Sequence, residues 1–163
     1  MSSPNPFGPA LVGRLALQLA GAEQRSALVQ ALGEALGREL GVTRLELQLS
    51  DPDHEHREHE PPHVAIAWQP DGVPTTRALP AAPAPVGSRP KLRRMQGQWE
   101  LLLPLPLRAG QAGHLCLGFS GEDPPDVVVE TDLLLALASV VGMACHGCDR
   151  LTELTAAQPA LAH

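Results

Sequence analysis

The chain has 163 residues, of which 44 % are hydrophobic, and this is enough to bury the core of one domain. Its 18 acidic residues outnumber its 12 basic residues, and its only aromatic residues are two tryptophans and two phenylalanines. Because nucleic-acid-binding proteins need a basic footprint and stacking side chains, we expect no nucleic-acid partner.

The N-terminal segment, Met1-Ser-Ser-Pro-Asn-Pro-Phe, has neither the basic start nor the apolar stretch of a secretory signal. No charge-free apolar run reaches the roughly 18 residues of a membrane span. The cysteine count is three, an odd number that fits a reducing compartment better than a disulfide framework. We therefore expect a cytoplasmic protein with no membrane segment, and a disordered tail over residues 1–8.

Two helices are predicted next. Pro9 suits the first position of a helix, because its missing N–H would be unpaired there in any case. A second helix is predicted from Ala22 to Leu40, with an apolar stripe on one side made by Leu28, Val29, Leu32, Leu36 and Leu40. Gly33 and Gly37 lie four residues apart on another side, which indicates close approach of a neighbouring element. Gly41 suits the left-handed residue at a helix C-terminus.

The middle of the chain predicts strands. Thr43–Ser50 alternates between apolar and polar residues, and Val64–Trp68 and Thr75–Leu79 are shorter candidates. Residues 80–90 contain four prolines and predict an irregular excursion. A hairpin is then predicted over residues 98–120, because leucines recur at every second position on both sides of a glycine-containing turn.

The last predicted helix runs from Thr131 to about Leu154. Apolar residues recur along it at spacings of three and four, a seam typical of paired helices, formed by Leu134, Leu137, Val141, Ala144, Cys148 and Leu151. Neighbouring positions are apolar as well, so one face can cover the sheet while another needs the N-terminal helices or a second subunit. We expect a homodimer through these helices, one domain over residues 9–156 and a disordered tail over residues 157–163.

This order of elements resembles a GAF domain, a small-molecule sensing module of signalling proteins. The resemblance covers roughly residues 22–155. It is carried by the apolar strand, Pro-Leu, glycine turn and second strand of Leu101–Phe119, and by the helix that begins Thr131-Asp-Leu-Leu. It implies an α+β fold, with a five- or six-stranded antiparallel sheet, the N- and C-terminal helices packed on one face and a ligand pocket on the other. The related PAS fold is the alternative.

Three subfamily activities of GAF domains are not supported by the residues present. Phe119 and Asp123 have the spacing of the cyclic-nucleotide motif, but Pro124 stands where that motif has Glu, and no Asn-Lys pair occurs. Bilin attachment would need a Cys-His pair in the pocket region. Methionine-sulfoxide reduction would need cysteines before the central hairpin, and the first cysteine here is Cys116. The resemblance therefore implies a non-enzymatic sensory module with an unidentified small ligand, an unknown cofactor and a signalling partner protein.

Candidate ligand-binding residues come from large or charged side chains near the implied pocket. They are Trp68, Trp99, Arg89 and Arg93, the last two within a basic patch that also contains Lys91 and Arg94. Core packing of the two tryptophans and a solvated basic surface are the plain alternatives. A pocket filled by the chain's own leucines, which would leave a scaffold without a ligand, is a further alternative.

Two other groups of residues point to metal or thiol chemistry. A histidine-rich loop contains His54, His56, His59 and His63, and imidazole is a ligand for zinc, copper or nickel. Its spacing matches no established site, so a solvated loop is the plain alternative. Cys145 and Cys148 form a Cys-x-x-Cys pair deep in the last predicted helix, away from the helix N-terminus that activates redox thiols. A metal- or thiol-based sensor or redox protein is therefore the alternative function.

Overall fold

A computed structural model describes residues 8–50, 63–81, 87–107, 111–125 and 131–161 of the chain. The helices are α1 (Pro9–Ala20), α2 (Arg25–Leu40) and α3 (Thr131–Leu161). The strands are β1 (Val42–Ser50), β2 (His63–Trp68), β3 (Thr75–Ala78), β4 (Lys91–Met95), β5 (Gln98–Pro104) and β6 (Ala112–Phe119).

The six strands form one antiparallel sheet in the order β3-β2-β1-β6-β5-β4. The predicted hairpin is confirmed as β5 and β6, which pair Leu101 with Leu117 and Leu103 with Leu115. The first strand of the chain, β1, then pairs with β6 on one side and with β2 on the other, so the hairpin lies beside the centre of the sheet. The α+β fold with an antiparallel sheet of five or six strands is confirmed.

The hydrophobic core lies between one face of the sheet and the three helices. Alternate residues of the central strands project into it, because side chains of a strand point to opposite faces in turn. The largest fully buried side chains are all leucines, from β1, β5 and β6 and from the helices: Leu15, Leu19, Leu28, Leu32, Leu36, Leu45, Leu47, Leu101, Leu103, Leu115, Leu117 and Leu134. Helix α2 lies over β1 and β2, and α1 packs on α3. The helices therefore cover a single face, as predicted.

Two glycines of α2 let this helix approach the sheet closely. A methyl group added at Gly33 would overlap the Trp68 ring, 2.6 Å from its Cε2 atom, and one added at Gly37 would lie 3.0 Å from its Cη2 atom. Close approach of a neighbouring element at these glycines is thus confirmed. Gly41 ends the helix at φ 74°, and its N–H donates to the carbonyl oxygen of Gly37 at 3.2 Å.

One strand was missed by the sequence analysis. The basic patch at residues 91–95 was not predicted as a strand, yet it forms β4, an edge strand paired with β5. A two-residue turn joins them, with Gln96 at φ 52° and Gly97 at φ 78°, the left-handed pair that suits a tight hairpin. Three of the five residues of β4 are basic, and only Leu92 packs against the core. The segment therefore lacks the alternation of apolar and polar residues that predicts a strand.

Helix boundaries also differ in part from those predicted. Helix α2 begins at Arg25 rather than Ala22. Helix α3 continues to Leu161 and so includes residues 157–161, which were predicted to be a tail. Ala156, Ala157 and Gln158 have a high helix propensity, which favours the extension, whereas propensity does not explain the continuation past Pro159.

Within the described part of the chain, one helical stretch is apolar and long enough to cross a membrane by length and composition alone, Thr131–Leu151. A buried helix of a globular domain passes the same test. Leu134, Leu137 and Val141 of this stretch are packed in the core, against the sheet and the other helices.

Candidate functional site

The candidate site is the face of the sheet that points away from the three helices, called here the open face. Its side chains alternate along each strand with the core leucines. They include Arg44, Glu46 and Gln48 of β1, His114 and Cys116 of β6, Glu100 and Leu102 of β5, and Arg93 of β4. Several of them are nevertheless buried, including the carboxylate-bearing Glu100 and the imidazole-bearing His114, each 7 % exposed. Buried polar groups on this face need partners, and those partners define the site.

Glu100 lies between two arginines in a row that crosses four strands. The Arg93 Nε atom donates to Oε2 of Glu100 at 3.3 Å from β4, and Arg44 NH2 lies 3.8 Å from Oε1 on the other side, from β1. Arg44 reaches over Gly118 of β6, where an added Cβ would lie 3.1 Å from the Cβ of Arg44. Because Gly118 has no side chain, two strands separated by a third can form an ion pair.

The electrostatic balance of this row is positive. A carboxylate removed from water is costly unless charges and hydrogen bonds compensate it. Two guanidinium groups face the one carboxylate of Glu100, so the row keeps one excess positive charge. Both arginine side chains are about half exposed, 47 % for Arg44 and 45 % for Arg93. The guanidinium groups at the two ends of the row are therefore accessible to solvent and to a ligand.

A second charged cluster lies on the neighbouring part of the open face. Arg77 NH2 of β3 lies 3.3 Å from Oε1 and 3.5 Å from Oε2 of Glu46. The side-chain amide of Gln48 also donates to Glu46, two residues earlier on the same strand. Glu46 thus has its own cation and its own amide donor. Glu46 and Glu100 therefore pair with different arginines.

Two further groups of the open face have shifted pKa values. Burial, and next the positive charge of Arg93, lower the pKa of His114 below its ordinary 6.5, and the opposing pull of Glu46 and Glu100 is smaller. Its imidazole is therefore neutral at neutral pH. Burial, and next the carboxylate of Glu100, raise the pKa of the Cys116 thiol far above its usual range. This cysteine is a protonated thiol, which is a poor nucleophile.

A cleft opens over one end of the charged row. Its volume is about 430 Å³, within the range of small-molecule pockets. It is lined by Thr43, Arg44, Gln69, Met95, Gln96, Gln98, Trp99, Glu100 and Gly118. Most of these residues are polar, and Glu100 is the one acidic residue among them. The cleft therefore offers hydrogen-bond donors and one accessible guanidinium group.

The four predicted ligand-binding residues do not form one group. Arg93 belongs to the charged row, and Trp99 lines the cleft, with its Nε1 donating to the carbonyl oxygen of Glu122 at 3.1 Å. Trp68 lies on the opposite side of the sheet, buried against α2, where it packs in the core. Arg89 is exposed and is not among the residues that line the cleft.

The predicted metal loop lies mostly outside the described residues, and this applies to His54, His56 and His59. His63 is at the start of β2, where its Nδ1 atom lies 2.7 Å from Oγ of Ser50. Among the described ranges, no group of three or more His, Cys, Asp or Glu side chains is placed to hold a metal ion. A metal site at the loop stays a prediction.

The cysteine pair of α3 lies in the core. Burial raises the pKa of Cys145 to about 12 and also raises that of Cys148, whose Sγ donates to the carbonyl oxygen of Ala22 at 3.4 Å. Next to them Arg25 binds Asp149 through two bonds of 2.8 Å and 2.9 Å, which join the start of α2 to α3. Thiols with raised pKa values in a helix interior lack the activation of redox cysteines.

The predicted helix-pairing seam faces the protein's own core, and this corrects the expectation of a dimer contact there. Leu134, Leu137, Val141 and Cys148 are at most 1 % exposed, and Ala144 is partly buried. Leu151 is 43 % exposed. The partners of the seam are the sheet and the N-terminal helices of the same chain, because its apolar period aligns it with the hydrophobic face of the sheet.

Sequence reasoning missed the central residues of the candidate site, which are Arg44, Glu100, His114 and Gly118. One signal was available: Glu100 is the single charged residue in the otherwise apolar run Trp-Glu-Leu-Leu-Leu. A charge in such a strand needs a partner. The arginines that serve Glu100 come from two other strands, and no local pattern identifies them.

Comparison with known proteins agrees with this architecture. No family model matches the chain, and no match was found among curated proteins. The structure is similar to that of the GAF domain of a sensor histidine kinase from Pseudomonas syringae pv. tomato, with a TM-score of 0.58 and 16 % identity over 91 % of this chain and 90 % of that chain. At this identity the likeness shows the fold alone. The chain has the GAF fold, as its hairpin and last helix indicated.

Proposed function

We propose that this GAF-fold chain is a non-enzymatic sensory or regulatory module of the cytoplasm. It binds a small ligand on the open face and passes the signal through its helices to a second copy or a partner protein. The observation that carries the proposal is the cleft of about 430 Å³ above Glu100, a buried carboxylate held between two arginines. Buried charges and convergent donors in a cleft are typical of a ligand site.

Binding is favoured over catalysis by the state of the reactive groups on the open face. The pKa of Cys116 is raised by burial, so a thiolate nucleophile is absent there at neutral pH. The carboxylate of Glu100 is held in two ion pairs, with one oxygen towards each arginine, so it acts as an internal counterion. The groups lining the cleft can hold a ligand through hydrogen bonds and charge.

Ligand binding is tested by native mass spectrometry of the freshly purified protein, with and without a chelator. We expect an additional organic mass on the wild type and its loss in Arg44→Gln. Arg14→Gln is the matched control, since this arginine lies on α1 and is 62 % exposed. An apo mass for the wild type, together with a melting temperature that no compound of a metabolite panel raises, would favour the scaffold without a ligand. A chelator-sensitive metal mass would favour the metal sensor.

A surface available for self-association is a second stripe on α3, which lies beside the seam and is more exposed than the seam. We call it the outer stripe, and it consists of Leu133, Ala136, Val140, Met143 and Gly147. These residues are spaced three and four apart, carry no charge and are partly or fully exposed, Met143 at 75 %. A two-fold dimer would set this stripe against its own copy, because an isologous interface uses the same patch twice.

Dimerisation is tested by sedimentation velocity at tens of micromolar protein. We expect a dimer for the wild type and a monomer for Met143→Glu, because the carboxylate would be buried without a partner at the two-fold axis. Val73→Glu is the matched control, as Val73 is equally exposed at 74 % but lies in the turn between β2 and β3. A monomeric wild type would remove the dimer from the proposal.

A further inference from the structure

The chemistry of the cleft limits the class of ligand it can take. Its lining contains one cation, the guanidinium of Arg44, and three side-chain amides, of Gln69, Gln96 and Gln98, each of which can donate as well as accept hydrogen bonds. Its one carboxylate, Glu100, already faces two cations. A cationic ligand would compete with two arginines for this carboxylate and would be repelled by both. An anionic ligand finds a cation and several amide donors.

The geometry makes Arg44 the cation that a ligand would contact. Arg93 holds Glu100 with a hydrogen bond of 3.3 Å, whereas the Arg44 contact is longer, 3.8 Å, and the Arg44 side chain is half exposed. Arg44 lines the cleft, and Arg93 is not among the lining residues. A guanidinium with one long contact keeps its remaining N–H donors for a second acceptor, and guanidinium binds oxyanions with two parallel hydrogen bonds.

The surroundings of Arg44 hold it in place for this task. Its side chain lies across Gly118, where an added Cβ would be 3.7 Å from its Nε atom. The hydroxyl of Thr43, the preceding residue, donates to the carbonyl oxygen of Gly118 at 3.2 Å. The Arg44 side chain therefore packs against Gly118 of β6 at the floor of the cleft, and its guanidinium group lies beside Glu100.

We propose that the cleft binds a small organic oxyanion, a carboxylate or a phosphate monoester, through the guanidinium of Arg44. The glutamine amides bind its further acceptor atoms, and the ligand's negative charge neutralises the excess positive charge of the row. This inference rests on the proposed function, since it specifies the ligand of the same face. Carboxylate and phosphate share this chemistry, and the test separates them.

The first arm of the test uses inorganic phosphate as probe and does not depend on the natural ligand. In Glu100→Gln the internal counterion of both arginines is removed while the shape is kept. We expect phosphate to bind this variant at least about threefold more tightly than the wild type, and Arg44→Gln about tenfold more weakly, as measured by the rise in melting temperature at constant ionic strength. Arg14→Gln should respond like the wild type.

The second arm titrates succinate and adenosine 5′-monophosphate into the wild type, Arg44→Lys and Arg44→Gln by calorimetry. Succinate binding alone assigns a carboxylate ligand, and nucleotide binding alone assigns a phosphate monoester. In either case Arg44→Lys should retain part of the affinity that Arg44→Gln loses. Equal binding by the wild type and Arg44→Gln, or no binding of any probe up to about 10 mM with no gain in Glu100→Gln, overturns the inference.

The failure of this inference can be told from a failure of the proposed function. If the wild type retains a small molecule that carries no anionic group, the sensory function stands and the oxyanion assignment falls. If the wild type retains no molecule and responds to no probe, both fall. If a retained anion is lost equally from Arg44→Gln and Arg14→Gln, the ligand is not bound by this cleft and the inference falls.

Discussion

Replacing Gly33 by alanine is the sharpest test of how α2 packs on the sheet. The added methyl group would overlap the indole of Trp68, 2.6 Å from both Cγ and Cε2, and this ring is itself buried. Alanine gains about 1 kcal/mol of helix propensity over glycine, whereas overpacking a well-filled core costs about 1–3 kcal/mol and occasionally more. Because a fixed aromatic ring cannot rotate away as a flexible side chain does, we expect a net loss of about 2 kcal/mol.

The matched control is Gly13→Ala in the middle of α1, where an added methyl group meets no atom within 4 Å. This variant should gain about 0.5–1 kcal/mol, so the two alanine variants should differ by nearly 3 kcal/mol, or roughly 6–12 °C in melting temperature. Urea unfolding followed by circular dichroism measures both. In a Trp68→Phe background the cost of Gly33→Ala should fall, since the smaller ring leaves room. If Gly33→Ala were as stable as Gly13→Ala, the close packing of Trp68 on α2 would be refuted.

Three further predictions concern the buried polar groups and thiols. Asp149→Asn should lower the free energy of unfolding by about 2 kcal/mol in urea titrations, because the partly buried Arg25 loses its bidentate carboxylate partner. Unchanged stability would contradict the pair. His114 has a lowered pKa, so between that pKa and pH 6.5 the unfolded chain binds more protons than the folded protein. The contribution of His114 to stability should therefore fall as the pH drops below 6.5, and His114→Gln should reduce that slope in urea titrations at several pH values. Cys145 and Cys148 are buried, so they should react with a chromogenic disulfide only after unfolding. Their replacement by serine should leave the amount of bound metal unchanged. Rapid labelling of the native protein would instead support the hypothesis of a thiol-based sensor.

Local sequence signals were sufficient for most of the fold. The leucines of β5 and β6 alternate so regularly that the hairpin and its buried face followed from spacing alone. Gly33 and Gly37 indicated a close neighbour without identifying Trp68, because the contact depends on how α2 crosses β2. The edge strand β4 escaped prediction since its basic side chains face solvent and only Leu92 contributes to the core.

Helix α3 shows why an apolar period alone does not identify a partner. Its two adjacent stripes, the seam and the outer stripe, have the same three-and-four spacing, so periodicity favours neither as the core face. In the structure most of the seam is buried by the same chain, whereas the outer stripe is only partly buried at Leu133 and Val140 and is exposed at Met143. The choice between them depends on the angle at which α3 packs on the sheet and on α1, which is a property of the whole fold.

The candidate site shows the same limit more strongly, because its residues meet only through strand order. Arg44, Arg93 and Glu100 come from three strands, and Gly118 of a fourth separates two of them. A shift of one residue in the register of β1 against β6 would turn Arg44 to the core face and separate it from Glu100. The ion-pair row is therefore fixed by the same register that buries the leucines on the opposite face. It follows that a variant which disturbs this register should lose oxyanion binding and stability together. Arg44→Gln should lose binding while its stability changes little, because Arg44 is half exposed, its contact with Glu100 is long and Arg93 still pairs with that carboxylate.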